Sequence, residues 1–244
     1  MVADAFAAVV ARERMVRANS GRWRPDLVVD TGDSALLRVP RDHGCMVVGV
    51  GDVGEVLALV ENHAADLSGA RFLILPYGIL HAHPGRVEAA LGVEPLGAWE
   101  WMWCRTAPAR QPGEEHVGPL GHRTPEEIDR LVEAANPQTH VRGDRSVSWW
   151  GYERDGDLLG VCGLALPGPG FERENGLQLA GLGVHPDARR QGIGAAMMAA
   201  ITRWGIARFG LVHYGVWLDN DPALRIYRRL GYNAGCWVQS YTRP

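Results

Sequence analysis

The sequence lacks the features that mark membrane-spanning and nucleic-acid-binding proteins. Its apolar runs fall well short of the roughly 18 residues that a membrane-spanning helix needs. The net charge of −3 gives no general attraction for nucleic acid or for an anionic membrane surface. We therefore expect neither nucleic acid nor membrane among the partners of this chain.

Cysteine is also scarce, and no two cysteines are spaced as CxxC. The chain has only Cys45, Cys104, Cys162 and Cys236, which argues against a zinc site or a disulfide framework. We interpret them as buried thiols in a reducing compartment. The stretch MVADAFAAVVARERMVRA predicts an amphipathic helix rather than a signal peptide. The expected location is therefore cytoplasmic.

Several catalytic motifs are missing as well. The absence of GxxxxGK[ST] excludes a P-loop, and the absence of GxSxG leaves a serine nucleophile elbow without support. His81 and His83 have no acidic residue or cysteine near them in sequence, so we interpret them as loop histidines. We expect no metal ion.

The residues that are present predict two α/β domains. The 244 residues, 46% of them hydrophobic, are enough for two cores. The polar stretch CRTAPARQPGEEH (104–116) is typical of a linker. We place an N-terminal domain at 1–106, a linker at 107–114 and a second domain at 115–244.

Local signals place the elements of both halves. Thr124 and Glu127 form a capping-box pattern, and Asp221 is expected to cap a later helix. The second half predicts the order β-α-β-β-β-α-β-α-β. The first half predicts a helix from VGEVLALVENHA and strands from five runs: DLVVD, SALLRVP, GCMVVGVG, RFLILPYG and AWEWMWC.

The stretch HPDARRQGIGAA (185–196) lies between a predicted strand and a predicted helix. The first amides of a helix have no intrahelical partner and carry the positive end of its dipole, so they bind anions. The two glycines allow a close approach, and the two arginines add charge-assisted hydrogen bonds to phosphate. A solvated, glycine-rich turn is the alternative.

A second glycine pattern, Gly49-x-Gly51-x-x-Gly54, follows a strand and precedes a helix. A dinucleotide site also needs an acidic residue at the end of the next strand, and RFLILPYG has none. A nucleotide-dependent oxidoreductase using this loop is therefore the weakest of the alternatives.

The second half resembles the GCN5-related N-acetyltransferase (GNAT) superfamily. Residues 189–194, RRQGIG, match its Gln/Arg-x-x-Gly-x-Gly/Ala signature, and NDPALRIYRRLGY resembles its Asn-x-x-Ala-x-x-x-Tyr-x-x-x-Gly-Phe/Tyr segment. The resemblance covers about 130 residues. It implies an α/β GNAT fold, a mixed central sheet flanked by helices. The first half resembles a divergent, catalytically silent copy of this fold that lacks the signature, as in tandem family members.

The resemblance implies acetyl-CoA as co-substrate and assigns residues to it. The strand before the loop would pair with the pantetheine arm, the loop amides would hold the pyrophosphate, and Tyr227 would act as the general acid toward the departing thiolate. The residues so assigned to coenzyme A are Leu182, Val184, Arg189, Arg190, Gln191, Gly192, Ile193, Gly194, Ala195, Asn220 and Tyr227. Asn220 is alternatively a helix cap, and Tyr227 a packed tyrosine.

The general base is less well marked. Family members carry a glutamate early in the corresponding strand, where this sequence has Gln178. Glu174, with Glu172 beside it, is the candidate base; His185 and water are rivals.

We therefore expect an acyl-CoA-dependent N-acetyltransferase. Such an enzyme belongs to the acyltransferases that transfer groups other than aminoacyl groups. The acceptor is a small-molecule or peptide amine, and small amines, amino acids, aminoglycosides, peptides and protein N-termini remain open. The chain is expected to be a monomer or a homodimer. A non-catalytic acyl-CoA-binding module is the main alternative.

Overall fold

The apolar runs of the first half form strands with helices packed on them, as the sequence predicts. The structure is a computed structural model and describes residues 1–139, 141–168 and 174–244. The elements of the first half are α1 (Val2–Arg12), α2 (Arg14–Asn19), β1 (Leu27–Asp30), β2 (Ala35–Arg41), β3 (Gly44–Val50), α3 (Val53–Asn62), β4 (Ala70–Pro76), α4 (Ile79–Ala82), α5 (Arg86–Leu91) and β5 (Glu94–Cys104). The sequence did not predict the short helices α4 and α5.

The second half has the predicted element order. Its elements are a 3-10 turn (Glu114–His116), β6 (Val117–Pro119), α6 (Pro125–Ala135), β7 (Ser148–Arg154), β8 (Asp157–Ala165), β9 (Leu177–Val184), a 3-10 turn (Pro186–Ala188), α7 (Ile193–Phe209), β10 (Val212–Trp217), α8 (Asp221–Arg229) and β11 (Asn233–Thr242). The Thr124–Glu127 capping box is confirmed. The cap of α8 is Asn220 rather than Asp221, because the Asn220 side chain accepts the N–H of Ala223.

The chain divides into two compact units whose borders differ from the predicted ones. The first unit comprises Met1–Trp101, Val216–Asp219 and Gly235–Pro244; the second comprises Met102–Gly215 and Asn220–Ala234. The final strand β11 belongs to the first unit because it pairs antiparallel with β4, from Val238–Pro76 to Thr242–Phe72. A single cut near residue 106 therefore does not describe the division.

The first unit is a sheet with the strand order β1-β2-β3-β4-β11-β5. β1–β2 and β2–β3 are antiparallel, and β3–β4 is parallel with α3 as the connecting helix. Val56, Leu57 and Val60 of α3 pack into the same buried cluster as Leu73 of β4 and Tyr241 of β11. The final strand thus contributes to the core of the first unit.

The second unit has the strand order β10-β9-β8-β7-β6. β6–β7, β7–β8 and β8–β9 are antiparallel, whereas β9–β10 is parallel with α7 as the connecting helix. Ile128, Leu131 and Val132 of α6 form a buried cluster with Val161 of β8. The predicted loop connects the carboxyl end of β9 to the start of α7, so it lies where the strands of this sheet end.

Candidate active site

Strand β9 loses its β10 partner halfway along its length. The two strands pair at Val212–Leu177, at the next pair and at Tyr214–Leu179, where the pairing ends among the described residues. β9 continues to Val184, still paired with β8. The two strands therefore separate after Leu179, and β9 presents an edge that β10 does not cover.

The unpaired edge carries the backbone groups of Leu182 and Val184. The N–H of His185 donates to Leu159 of β8, so Val184, one residue earlier, directs its own N–H and C=O away from β8. Leu182, two residues back, has the same orientation. These are the two residues that the resemblance assigns to the pantetheine arm.

Side chains occupy part of this edge. Asn136 Nδ2 donates to the Leu182 carbonyl oxygen at 3.2 Å, and Arg189 Nε donates to the Val184 carbonyl oxygen at 3.2 Å. The N–H of Leu182 donates to the phenol oxygen of Tyr214. Buried backbone groups need such partners when no neighbouring strand supplies them.

The glycine loop enters α7 without a side-chain cap. Gly192 is the N-cap residue, with φ of +83°, and no side chain among the described residues accepts from the first amides of α7. Ala196 is the first residue whose N–H returns to the Gly192 carbonyl, at 3.0 Å. The preceding amides therefore face outward with the positive end of a 17-residue helix behind them.

The space in front of these amides is open. A methyl group built on Gly192 would meet nothing within 4 Å, and one on Gly194 would meet only Val184 Cγ2, at 3.8 Å. At Gly194 the protein's own packing thus does not require glycine. Because glycine has no side chain to block the way, an anion can come close to the free amides at the start of the helix.

The arginines of the loop differ in their contacts. Arg189 is held against the backbone, because its Nη2 also donates to the Ala135 carbonyl oxygen at 3.2 Å. Arg190 is exposed and adopts φ of +64°. Arg154, which the sequence did not mark, donates to Gln191 Oε1 at 2.9 Å and adds a positive charge beside the loop.

Three tyrosines of the second unit form a cluster. Tyr227 of α8 is 2% exposed, and its ring contacts those of Tyr214 and Tyr232, with centroids 5.2 and 5.8 Å away. Tyr232 shares a hydrogen bond of 2.6 Å with Thr202. Burial raises the pKa of Tyr227 well above its ordinary value, so its phenol is protonated at neutral pH.

Tyr227 also hydrogen-bonds to the phenol of Tyr214. No motif in the sequence marks Tyr214 or Asn136 as functional residues. Only the separation of β9 from β10 brings them to the Leu182 backbone, and that separation leaves no local pattern in the sequence.

The candidate bases have other contacts. Glu174 pairs with Arg105 at 2.5 Å and is partly exposed, and Glu172 lies outside the described residues. His185 Nδ1 accepts the N–H of Asp187 at 3.3 Å, and Gln178 lies on β9 beside His213 of β10. The choice of base stays a prediction.

The second glycine pattern serves the packing of the first unit. A methyl group on Gly49 would lie 2.5 Å from Val56 Cγ1, and one on Gly51 would lie 2.3 Å from Ser34 Oγ. Asp52 caps α3 by accepting the N–H groups of Gly54 and the next residue, at 2.8 and 3.1 Å. The amides of this helix start already have a partner, unlike those of α7.

Three other features also bear on function: clusters of metal ligands, reactive cysteines and membrane-spanning helices. Within the described ranges, no three His, Cys, Asp or Glu side chains are grouped so as to hold a metal ion. All four cysteines are free, and burial raises the pKa of the Cys162 thiol to about 12. No helix in the part of the chain that the structure describes is long and apolar enough to cross a membrane.

Comparisons with known proteins place the second half in a family. Residues 105–232 match the acetyltransferase (GNAT) family. A curated relative, the N-alpha-acetyltransferase RimI of Mycobacterium tuberculosis, is 34% identical over 102 residues. That alignment covers 41% of this chain and 56% of the relative, so the chain spans about half the length of the curated relative it matches.

Solved structures share the fold over nearly the whole chain. A GCN5-related N-acetyltransferase from Kribbella flavida has a TM-score of 0.57 at 20% identity, covering 98% of this chain and 95% of that one. A tandem GNAT protein from the clavulanic acid biosynthesis pathway has a TM-score of 0.51 at 16% identity, covering 98% and 92%. At these identities the likeness concerns the fold alone. The α/β fold with sheets flanked by helices is the one that the sequence predicts.

Proposed function

The chain belongs to the acetyltransferase (GNAT) family, whose match covers 128 of its 244 residues (105–232), and we propose that it transfers the acetyl group of acetyl-CoA to a primary amine. The observation that carries the proposal is the start of α7. The helix begins with amides that no side chain of the described residues caps, and its glycines have open space in front of them. It follows β9 in the chain, and the second half of β9 is not covered by β10.

The residues present fit coenzyme A in two places. The amides of residues 191–195 and the guanidinium of Arg190 would hold the pyrophosphate, which carries negative charge where the helix dipole is positive. The pantetheine arm carries amide groups of its own and would pair with the backbone of Leu182 and Val184, replacing the side chains of Asn136 and Arg189 that now bond the two carbonyl oxygens. Bound there, acetyl-CoA supplies an acyl group activated as a thioester.

Acetyl transfer needs a neutral amine, because an ammonium ion has no lone pair for attack. Glu174, held by Arg105, is the proposed group that takes the proton, directly or through water. The α-amine is the first acceptor to test, because the curated relative is named an N-alpha-acetyltransferase. Lysine side chains, free amino acids and aminoglycosides follow in the same screen.

We further propose that the first unit is a divergent copy of the same fold without a cofactor site. Two antiparallel pairs followed by a parallel pair bridged by a helix occur in both units: β1 to β4 with α3, and β7 to β10 with α7. The two units differ at the start of the connecting helix. The Asp52 side chain accepts hydrogen bonds from the first amides of α3, whereas no side-chain cap is present at the start of α7 among the described residues.

The test is turnover followed by mass spectrometry. Full-length protein is incubated with acetyl-CoA and a panel of α-amino peptides, lysine peptides and small amines, and a mass increase of about one acetyl group identifies the acceptor. The control omits the protein. Binding of acetyl-CoA without acetylation of any amine would instead favour the non-catalytic acyl-CoA-binding module.

A further inference from the structure

The end of helix α6 lies directly on the part of β9 that β10 does not cover. A methyl group built on Gly183 would lie 2.8 Å from Ala135 Cβ, and one on Gly181 would lie 3.0 Å from Thr139 Oγ1. Both glycines belong to the stretch of β9 after Leu179, where the pairing with β10 ends. Glycine in a strand commonly marks a place where another part of the backbone approaches closely. The two missing side chains therefore let the end of α6 approach this strand.

Three hydrogen bonds fasten the end of α6 to β9 and to the loop that follows β9. Asn136, the C-cap residue of α6, donates from Nδ2 to the Leu182 carbonyl oxygen at 3.2 Å. Arg189 donates from Nε to the Val184 carbonyl oxygen and from Nη2 to the Ala135 carbonyl oxygen, both at 3.2 Å. Ala135 is the last residue of α6, where carbonyl groups have no partner within the helix. The Arg189 guanidinium thus bridges the end of α6 and the end of β9.

Two of these bonds end on the carbonyl oxygens that the proposed function gives to coenzyme A. Leu182 and Val184 direct their backbone groups away from β8, toward the side where a further strand would pair. A donor nitrogen 3.2 Å from such an oxygen lies where the amide of a pairing strand would lie, because such amides lie about 2.9–3.0 Å from the oxygens that they bond. The side chains and an extended ligand therefore cannot occupy this edge at the same time.

We propose that the side chains of Asn136 and Arg189 form a latch that is closed in the free protein and that coenzyme A opens. This rests on the proposed function. When the amides of the pantetheine arm take the carbonyl oxygens of Leu182 and Val184, both side chains leave them. The Arg189 guanidinium then turns to the pyrophosphate, and the Ala135 carbonyl oxygen is left to water. Opening the latch therefore loosens the end of α6.

The latch and the ligand affect each other equally, because two events that exclude one another at the same atoms are thermodynamically linked. A protein whose latch is closed most of the time binds coenzyme A more weakly than the same protein without the latch. Conversely, bound coenzyme A destabilises the closed latch, so the last turn of α6 opens more often. Both effects can be measured.

Calorimetry on two neighbouring variants tests the first effect. The net contribution of one hydrogen bond corresponds to about fivefold in an equilibrium constant, so Asn136→Ala should bind coenzyme A about fivefold more tightly than wild type. The matched control is Gln138→Ala, which removes an exposed amide side chain from the same segment and should bind within about twofold of wild type. ADP carries a pyrophosphate without a pantetheine arm, so its affinity should be the same in all three proteins.

Urea unfolding distinguishes the latch from general damage to the fold. Asn136→Ala also removes a hydrogen bond from the free protein, so it should unfold at a lower urea concentration than wild type and Gln138→Ala. Lower stability together with tighter binding identifies a contact that competes with the ligand. A residue with a structural role alone would lose stability without gaining affinity.

Hydrogen–deuterium exchange of the wild-type protein tests the second effect without any substitution. The N–H of Asn136 donates to the Val132 carbonyl oxygen at 2.8 Å and closes the last turn of α6. With coenzyme A bound, this amide should exchange faster, while the amides of residues 191–195 should exchange more slowly. The reference is the N–H of Gly210 at the far end of α7, which donates to Ile206 at 2.8 Å and should not exchange faster.

Two results would overturn the latch while leaving the proposed function intact. In one, coenzyme A binds Asn136→Ala no more tightly than Gln138→Ala, or ADP gains as much affinity as coenzyme A does. In the other, coenzyme A slows exchange at residues 191–195 without accelerating exchange at Asn136. A wild-type protein that does not bind coenzyme A would instead refute the proposed function, and the latch would fall with it.

Discussion

Arg189 folds back on the strand that precedes it, and its Nε donates to the Val184 carbonyl oxygen at 3.2 Å. Its Nη2 reaches the carbonyl oxygen of Ala135 at the end of α6. Both arginines are exposed, but Arg190, the next residue, makes no such contact with any described residue. Adjacent arginines that look equivalent in the signature therefore have different surroundings, and the difference can be measured.

We predict that Arg189→Ala destabilises the protein, whereas Arg190→Ala weakens acetyl-CoA binding alone. Loss of the Arg189 hydrogen bonds should lower the free energy of unfolding by about 1 kcal/mol. Loss of a charged hydrogen bond from Arg190 to phosphate should weaken binding about tenfold, equivalent to about 1.4 kcal/mol. Urea unfolding and calorimetry on both variants provide the comparison. Equal effects on unfolding would contradict the structural role of Arg189.

The two glycines of the loop should respond to alanine in opposite directions. Gly192 has φ of +83°, which strains any residue with a Cβ, so Gly192→Ala should lower the free energy of unfolding by about 1 kcal/mol. Gly194 is helical, with open space for a methyl group, so Gly194→Ala should raise it by about 0.5 kcal/mol. Thermal unfolding of the two variants measures the sign of each change. A loss of stability in Gly194→Ala would mean that the space at that position is filled.

Gly49→Ala tests the other glycine pattern. The added methyl group would lie 2.5 Å from Val56 Cγ1 and 3.0 Å from Leu75 Cδ2, so we expect a loss of about 1–3 kcal/mol from overpacking. Affinity for acetyl-CoA at a temperature where the variant is folded should not change. Unaltered stability together with weakened binding of NADH would show that this loop is a nucleotide site after all.

The Arg12–Asp30 ion pair should make part of the stability depend on pH. The hydrogen bond from Arg12 lowers the pKa of Asp30, so the contribution is complete above the unfolded-state pKa of about 3.9 and is lost as pH falls through the lower folded-state value. Asp30→Asn should cost about 1 kcal/mol at neutral pH, and this difference should shrink as the pH falls below about 3.9 and through the lower folded-state pKa. Urea unfolding across that range checks it. A difference that is constant with pH would contradict an ionic role for Asp30.

Local signals in the sequence predict much of the second half. Thr124 with Glu127 gives the start of α6, and residues 189–194 give the loop and the start of α7. These features depend on residues near one another in the chain, so spacing alone reveals them. The cap at Asn220 rather than Asp221 is a shift of one residue, because either side chain suits that position.

Features that depend on distant pairing escaped prediction. The polar stretch after Cys104 suggested a simple border, but β11 returns to β4, more than 150 residues earlier in the chain. Tyr214 and Asn136 look like ordinary strand and helix-end residues until β9 and β10 separate and leave Leu182 without a strand partner. No periodicity or spacing in one sequence records where two parallel strands separate.

Calorimetric titration of the full-length protein with acetyl-CoA tests the central claim most directly, together with Gly194→Glu and Gly54→Glu. Both glycines are the second residue of a helix that follows a strand, so the two variants carry the same charge at matched positions. We predict one site per chain in the wild type, lost in Gly194→Glu and kept in Gly54→Glu. Loss in Gly54→Glu alone, two sites per chain, or no binding at all would contradict a single cofactor site at the start of α7.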